Sequence, residues 1–440
     1  MGRLSIIEKS LEEKLLQLNA SSWHVGLLVG CVTEQRDYIV HFANTPIEKE
    51  DRPEKLSDLS DVLVTSHAGE LLRMLPGGLC ICGIAAIGSN LSSSNSKLQQ
   101  LMTATYKTLC KSDKYGTQTN CWQLILVDSL SHKISSRSLL VDDYKNTLSP
   151  SEVRFQSLSS GWVIAETKLA VDRNFYICRK QENEHFEEQL LGGLSPYLQL
   201  ISDSFCLCNG CVVSDDEQFG AESIKGKKFS HQNLSPTRVV VDLLGRAQTC
   251  SNSSCDEQMS SLRLKGTVSS IAFLRAPATA AQLSQAIKAD LQRSLVTRCQ
   301  LLCEDMLQVG SEKHSSDDQI VYETPPRVYI THTSLPAISF SDHMFKGEKV
   351  EDCTERAQQI LGINSIDSAT IDVTTERTAD VEDLESLNRY QAEEVAADDS
   401  GATSRSSFLN NMPAIATLAS GAVLAMVVSL TYLNLDEFIG

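Results

Sequence analysis

With 440 residues, 42% of them hydrophobic, the chain is long enough for two or three domains and apolar enough for real cores, which excludes a globally disordered protein. A net charge of −17 speaks against nucleic-acid binding, which needs a basic face to neutralise phosphates. The acidity is local: residues 364–400 hold 11 acidic and two basic side chains, leaving the preceding residues with an ordinary balance.

The N-terminus is no secretory signal, because Met1 to Ala20 is amphipathic and charged throughout. Gly2 does not complete a myristoylation pattern, since Ile6 stands where Ser or Thr is wanted. Ser5 and Glu8 have the spacing of a capping box, and Ile7, Leu11, Leu15 and Leu18 follow at helical intervals, so a first helix is expected. Residues 24–31 and 37–42 read as a β-hairpin, followed by a polar loop and a helix ending near Leu75. Pro76-Gly77-Gly78 turns the chain into 79–88, a continuous apolar strand that implies burial on both faces. A helix from Lys97 to Lys111, strands at 122–128 and 162–170, and a helix from Glu182 to Ile201 complete an α/β domain over 1–201.

A second, smaller αβ unit is expected over 202–345. It comprises a polar stretch to Asn233, strands at 238–244 and 264–274, and a helix from Thr279 to Leu307. Leu283, Ile287, Leu291 and Leu295 recur on that helix every four residues, and a strand follows at 327–331. A short helical segment at 346–363 precedes an acidic, aperiodic tether at 364–408, expected to be disordered.

From Ser406 to Leu435 no residue is charged, and the apolar heart at 413–433 would make a helix about 31 Å long, the thickness of a bilayer's hydrocarbon. This predicts one C-terminal transmembrane helix bounded by Pro413 and Leu433, with a lumenal tail at 434–440. Arg405 on one side, Asp436 and Glu437 on the other, and no signal peptide place residues 1–405 in the cytosol. The endoplasmic reticulum is the expected membrane, with mitochondria as the alternative. Thr417, Gly421, Ala425 and Ser429 form a four-residue stripe able to pack against another helix, although chance spacing in a segment rich in small residues is the plainer reading.

The 14 cysteines are scattered, several within apolar runs such as Cys31, Cys80, Cys82 and Cys178, and read as reduced core thiols. The sequons at Asn19, Asn90, Asn233 and Asn252 would then stay idle. A zinc isopeptidase would need an H-x-H pair, yet no two of the nine histidines are two residues apart, and Gly88-Ser89-Asn90 follows the buried strand where such ligands would stand. Cys206, Cys208 and Cys211, with His231 beyond, suggest a zinc knuckle, but reduced thiols at a strand end are the simpler reading. No metal, cofactor or complete catalytic site is expected.

Several stretches resemble the odorant-response-abnormal family: VGLLVG at 25–30, DYIVHFANTP at 37–46, RMLPGGLCICGIAAIG at 73–88, AIKADLQRSLVTRCQLLCEDML at 286–307 and PPRVYI at 325–330. The apolar C-terminus falls where that family has its anchor, whereas residues 206–262 and the acidic tether match poorly. The resemblance implies an MPN-like first domain without metal ligands. It also implies a non-catalytic membrane protein of the endoplasmic reticulum that assists folding or trafficking of seven-helix receptors, including odorant receptors, and recruits a ubiquitin-fold-modifier-specific protease. The rival reading is a membrane-anchored zinc- or thiol-dependent hydrolase of the ubiquitin-like system, and a vesicle tether ranks below both for want of heptads beside the anchor.

Overall fold

The structure, a computed structural model, describes residues 3–376 apart from short stretches, of which 221–234, 246–257 and 310–319 are the longest, together with 424–430. Its first sheet has eight strands: β1 (Leu4–Glu8), β2 (His24–Val32), β3 (Arg36–Asn44), β4 (Cys80–Gly88), β5 (Cys121–Asp128), β6 (Ile134–Leu140), β7 (Ser149–Pro150) and β8 (Glu152–Gln156). They lie in the order β7-β6-β5-β4-β2-β3-β1-β8. All nine residues of β4 are buried, because helices cover both faces of the sheet. On one face α1 (Lys9–Gln17) sets Leu11 and Leu15 against Leu28, Phe42 and Cys82. On the other, α2 (Asp61–Arg73) and α3 (Asn95–Ser112) bring Val64, Leu71, Leu98 and Leu101 onto Leu27, Ile84 and Trp122.

Residues 4–8 correct the helix expected there. They form β1, parallel to β3 and β8, and the apolar stripe from Leu11 onward belongs to a helix that starts at Lys9. Glu8 does not cap this helix; its carboxylate accepts the Leu158 N–H at 2.5 Å, tying β1 to the strand region beyond β8.

The second sheet is built on a long ribbon of β9 (Trp162–Cys178) and β13 (Gln258–Arg275), flanked by β10 (Phe205–Cys208) and β12 (Thr237–Leu244) on the β9 side. Two short pieces, β11 (Gln218–Phe219) and β14 (Ala278–Thr279), pair apart from it, and β15 (Ile320–Glu323) ends its far edge. The helices α4 (Phe186–Asp203) and α5 (Ala280–Val309) cover one face, with Leu190, Leu194 and Leu198 meeting Leu283, Leu291 and Leu295 over Val163, Val239 and Val268. The strand at 162–178 and helix α4 belong to the second unit because their apolar partners are β13 and α5.

The chain then returns to the first unit. The sheet of β16 (Arg327–Thr331), β17 (Ser339–His343) and β18 (Ile371–Asp372), with α6 (Val350–Leu361), adds Val328, Ile330, Phe340, Ala357 and Leu361 to the first core. Three side chains hold the C-terminal carbonyls of α6: His67 at Ile360 O (2.7 Å), His41 at Leu361 O (2.7 Å) and Lys14 at Gly362 O (3.1 Å). These are the acceptors a helix leaves unpaired at its end. Gly362 closes the helix at φ 61°, and its Cα packs against Asn44 so closely that no side chain fits.

The first part of the expected acidic tether is described by the structure. Residues 364–376 are packed: Ile366 and Ile371 enter the first core, and Glu376 is buried where the two units meet. Its carboxylate takes the Ser269 N–H and hydroxyl (2.8 Å each), the Arg327 N–H (2.8 Å) and the Arg298 guanidinium (2.5 Å). Beside it Arg327 clasps Asp290 through two nitrogens, at 2.6 and 3.0 Å.

The expected transmembrane helix meets a different finding where the structure describes it. Leu424–Leu430 form strand β19, antiparallel to β13 and to β15, with Ala425 opposite Lys265 and Ser429 opposite Ser261. An apolar run containing Val427-Val428 serves a strand as well as a helix, because without charges there is no periodicity to separate them. Pro413, Thr417, Gly421 and Leu433 lie outside the described residues. Among the described residues no helix is long and apolar enough to cross a membrane.

Candidate binding cleft between the two units

Where the β2–β3 turn, the start of β4 and the loop after α3 face the end of β13 and one side of α5, they enclose a cleft of about 860 Å³. Its α5 wall is the stripe Gln282, Ala286, Ala289 and Arg293, and the small alanines leave the space open. Gly78, which lines the cleft at φ 75°, lies so close to β13 that a side chain there would strike the Phe273 carbonyl.

Two guanidiniums give the cleft its chemistry. Arg293 is 11% exposed; it sits 3.7 Å from Asp113, beyond hydrogen-bond reach, and its Nε and Nη1 have no hydrogen-bond partner among the described residues. Arg275 lies 4.7 Å from the ring centroids of both Tyr38 and Trp162, and its Nη1 donates to the Ser160 carbonyl at 2.8 Å. Its buried Nε is likewise unpartnered, and burial holds its pKa below the usual arginine value. Asp113 spends one oxygen on the Gly116 N–H at 2.7 Å.

Two thiols line the same cleft, Cys31 and Cys80. Burial pushes the first up to about 11 and the second to about 12, so both stay protonated at neutral pH and make poor nucleophiles. Cys299, Cys303 and Cys353 are raised to about 12 by the same cause.

The cysteine triplet forms a hairpin. Cys208 and Cys211 exchange both backbone hydrogen bonds (3.0 Å each) around Asn209 and Gly210, whose φ of 51° and 73° mark a two-residue I′ turn. The thiols have separate surroundings: Cys208 is in the core of the second unit, Cys206 accepts the Ser284 hydroxyl at 2.9 Å, and Cys211 is exposed. His231 lies outside the described residues, and among those described no three His, Cys, Asp or Glu side chains could hold a metal ion.

A smaller cavity of about 240 Å³ lies between α2, α5, β17 and α6. His343 lines it, 3% exposed and with Nε2 unpartnered, beside Arg73, Arg356, Glu304 and Asp342. No motif in the sequence marks this histidine, Arg275 or Arg293. The local trace of the cleft in the sequence is the spacing of Ala286, Ala289 and Arg293 along one side of α5.

Fold and cleft together define a mixed α/β protein built on an eight-stranded and a six-stranded sheet, with an arginine-lined cleft where the two units meet. Residues 26–372 match the family model described as ODR4-like, odorant response abnormal 4-like, and the chain belongs to that family. It is similar to the protein odr-4 homolog of Gallus gallus, with 25% identity over 377 residues covering 82% of this chain and 84% of the relative. It is also similar to the odorant response abnormal protein 4 of Caenorhabditis elegans, with 22% identity over 356 residues covering 77% and 71%. Among solved structures it resembles the crystal structure of UfSP from C. elegans, with a TM-score of 0.43 and 8% identity, covering 86% of this chain and 58% of that one.

Proposed function

We propose that the chain is a non-catalytic, tail-anchored adaptor of the endoplasmic reticulum membrane that assists folding and trafficking of seven-helix, odorant-type receptors. It also recruits a ubiquitin-fold-modifier-specific protease to that membrane. The observation that carries the reading is the family match over residues 26–372, whose relatives are named for an odorant-response defect. An MPN-like character for the first unit is part of the proposal. The raised pKa values of the core thiols support a binding role over a thiol hydrolase.

The anchor in this proposal is 413–433, supported by 30 consecutive uncharged residues from Ser406 to Leu435. On entering a bilayer as a helix, Leu424–Leu430 would leave the β13 and β15 edges. A sequon added to an extended C-terminus tests the arrangement in cells. We expect that site to be glycosylated, Asn90 and Asn233 to stay bare, and the protein to resist carbonate extraction. Glycan on Asn90, or release by carbonate, would overturn the anchor. In the same cells, a chain ending at Ser400 plus an unrelated tail anchor should retain the protease at the membrane, whereas the full chain with 413–433 deleted should leave it diffuse. Protease at the membrane without any anchor would refute the recruitment model.

A further inference from the structure

We propose that the cleft between the two units is a carboxylate-binding site for an extended peptide, and that its occupant is the acidic segment of this same chain, residues 378–399. This inference is independent of the receptor and protease reading. It starts from a mismatch of charge. On a chain of net charge −17, the cleft gathers three arginines, Arg36, Arg275 and Arg293, against only Glu34 and Asp113. Asp113 gives one oxygen to the Gly116 N–H and meets Arg293 in a long ion pair at 3.7 Å, so its charge is shared. Among the described residues no carboxylate comes within ion-pair distance of Arg275. Buried donors are normally paired, because an unpaired one loses its water without replacement. A guanidinium offers a planar fork that a carboxylate fills with two parallel bonds. Two such guanidiniums line one cleft, each with a donor left without a hydrogen-bond partner, and together they suit carboxylates.

The volume also fits. A cleft of about 860 Å³ is within the range that encloses a ligand, and the Ala286 and Ala289 wall gives room for a peptide backbone. The raised pKa values of Cys31 and Cys80 leave the lining without a ready nucleophile, so the site would hold its occupant without reacting with it.

The occupant is the segment that follows Glu376 in the sequence. Glu376 is clamped by Ser269 on β13 and Arg298 on α5, the two elements that supply Arg275 and Arg293. The next 24 residues, 377–400, carry eight Asp or Glu and only two Arg. Along β13, Ser269 and Arg275 are separated by about 20 Å at roughly 3.3 Å per residue. An extended chain covers about the same distance per residue, so Glu382, Asp383 and Glu385 come within reach of the cleft. Covalent attachment sets a local concentration on the order of millimolar, so individually weak ion pairs suffice for docking in cis.

The test uses the full chain in detergent micelles and a second form in which the eight acids of 380–399 are changed to Asn or Gln. The probe is a fluorescein-labelled synthetic peptide of residues 377–400, followed by anisotropy. We expect the peptide to bind the amide form and to bind the unaltered chain at least tenfold more weakly, because the cleft there is already filled. Arg293→Glu in the amide form should weaken binding at least tenfold, with fluorescence of the three tryptophans confirming the fold. Arg275→Gln serves as the second variant. Raising the salt to about 0.5 M should weaken binding severalfold, since these pairs are screened. Equal binding to both forms of the chain, indifference to Arg293→Glu in a folded protein, or equal binding by a shuffled peptide of the same composition would each overturn the proposal.

Discussion

Glu376 is buried where the two units meet, and its replacement is the sharpest test of how they are joined. Four hydrogen bonds converge on a carboxylate 2% exposed, from both polar groups of Ser269, the Arg327 N–H and Arg298, itself 1% exposed. Glu376→Ala strands the Arg298 cation in the interior. Breaking a buried pair in this way costs about 3–5 kcal/mol. Changing both partners to apolar residues of similar size removes the stranded charge, so Arg298→Met with Glu376→Met should cost clearly less than the two single changes summed, with a coupling of about 2 kcal/mol or more. The assay is urea unfolding of the full chain in detergent, read by tryptophan fluorescence, since Trp23, Trp122 and Trp162 are all buried. Glu376→Ala within about 0.5 kcal/mol of the parent, the range of ordinary surface changes, would refute the reasoning and show that 372–376 is not docked.

Two further outcomes are expected. His343 is held well below the usual histidine pKa by burial and then by Arg298, Arg327, Arg73 and Arg356; burial also lowers His67, against its bond to Ile360 O. The folded state keeps these rings neutral while the unfolded chain takes up protons below about pH 6.5, so stability is full above that value and is lost as pH falls toward the folded pKa values. The slope should be about 1.4 kcal/mol per pH unit for each histidine, and His343→Leu should flatten unfolding curves between pH 6.5 and 5.5; an unchanged slope would show His343 to be solvated. On α5, Leu291 and Leu295 are 0% and 1% exposed against α4, so either one changed to Asp should cost several kcal/mol and sharply reduce expression, whereas an unchanged urea midpoint would place that face in solvent.

The elements that were legible in the sequence carry their information locally. The run 79–88 reads as a doubly buried strand because all its residues are small or apolar, and β4 buries every one of them. The four-residue repeat of leucines and isoleucine predicts α5, whose Leu283, Ile287, Leu291 and Leu295 all face the second core. Leu11 and Leu15 sit on the expected buried stripe, yet Leu4–Glu8 ahead of them form a strand. A five-residue stretch with a capping-box spacing fits either state until β3 and β8 offer their edges. The strand β6 escaped notice because its polar residues give weak alternation, and β8 because its alternation runs over only five residues.

The sequence by itself determined the faces: which residues of a strand or helix must leave water, where the chain must turn, and where charge collects. The tertiary structure alone decided which faces meet. It moved the strand at 162 and the helix at 186 into the second unit, returned residues 327–376 to the first, and brought Arg275 and Arg293 to the cleft beside Cys31 and Cys80. Periodicity is a property of neighbours a few positions apart, so it can be read along the chain. An ion pair such as Arg298 with Glu376 joins residues 78 positions apart, and nothing local marks either one, because its strength depends on how much water the surrounding fold removes.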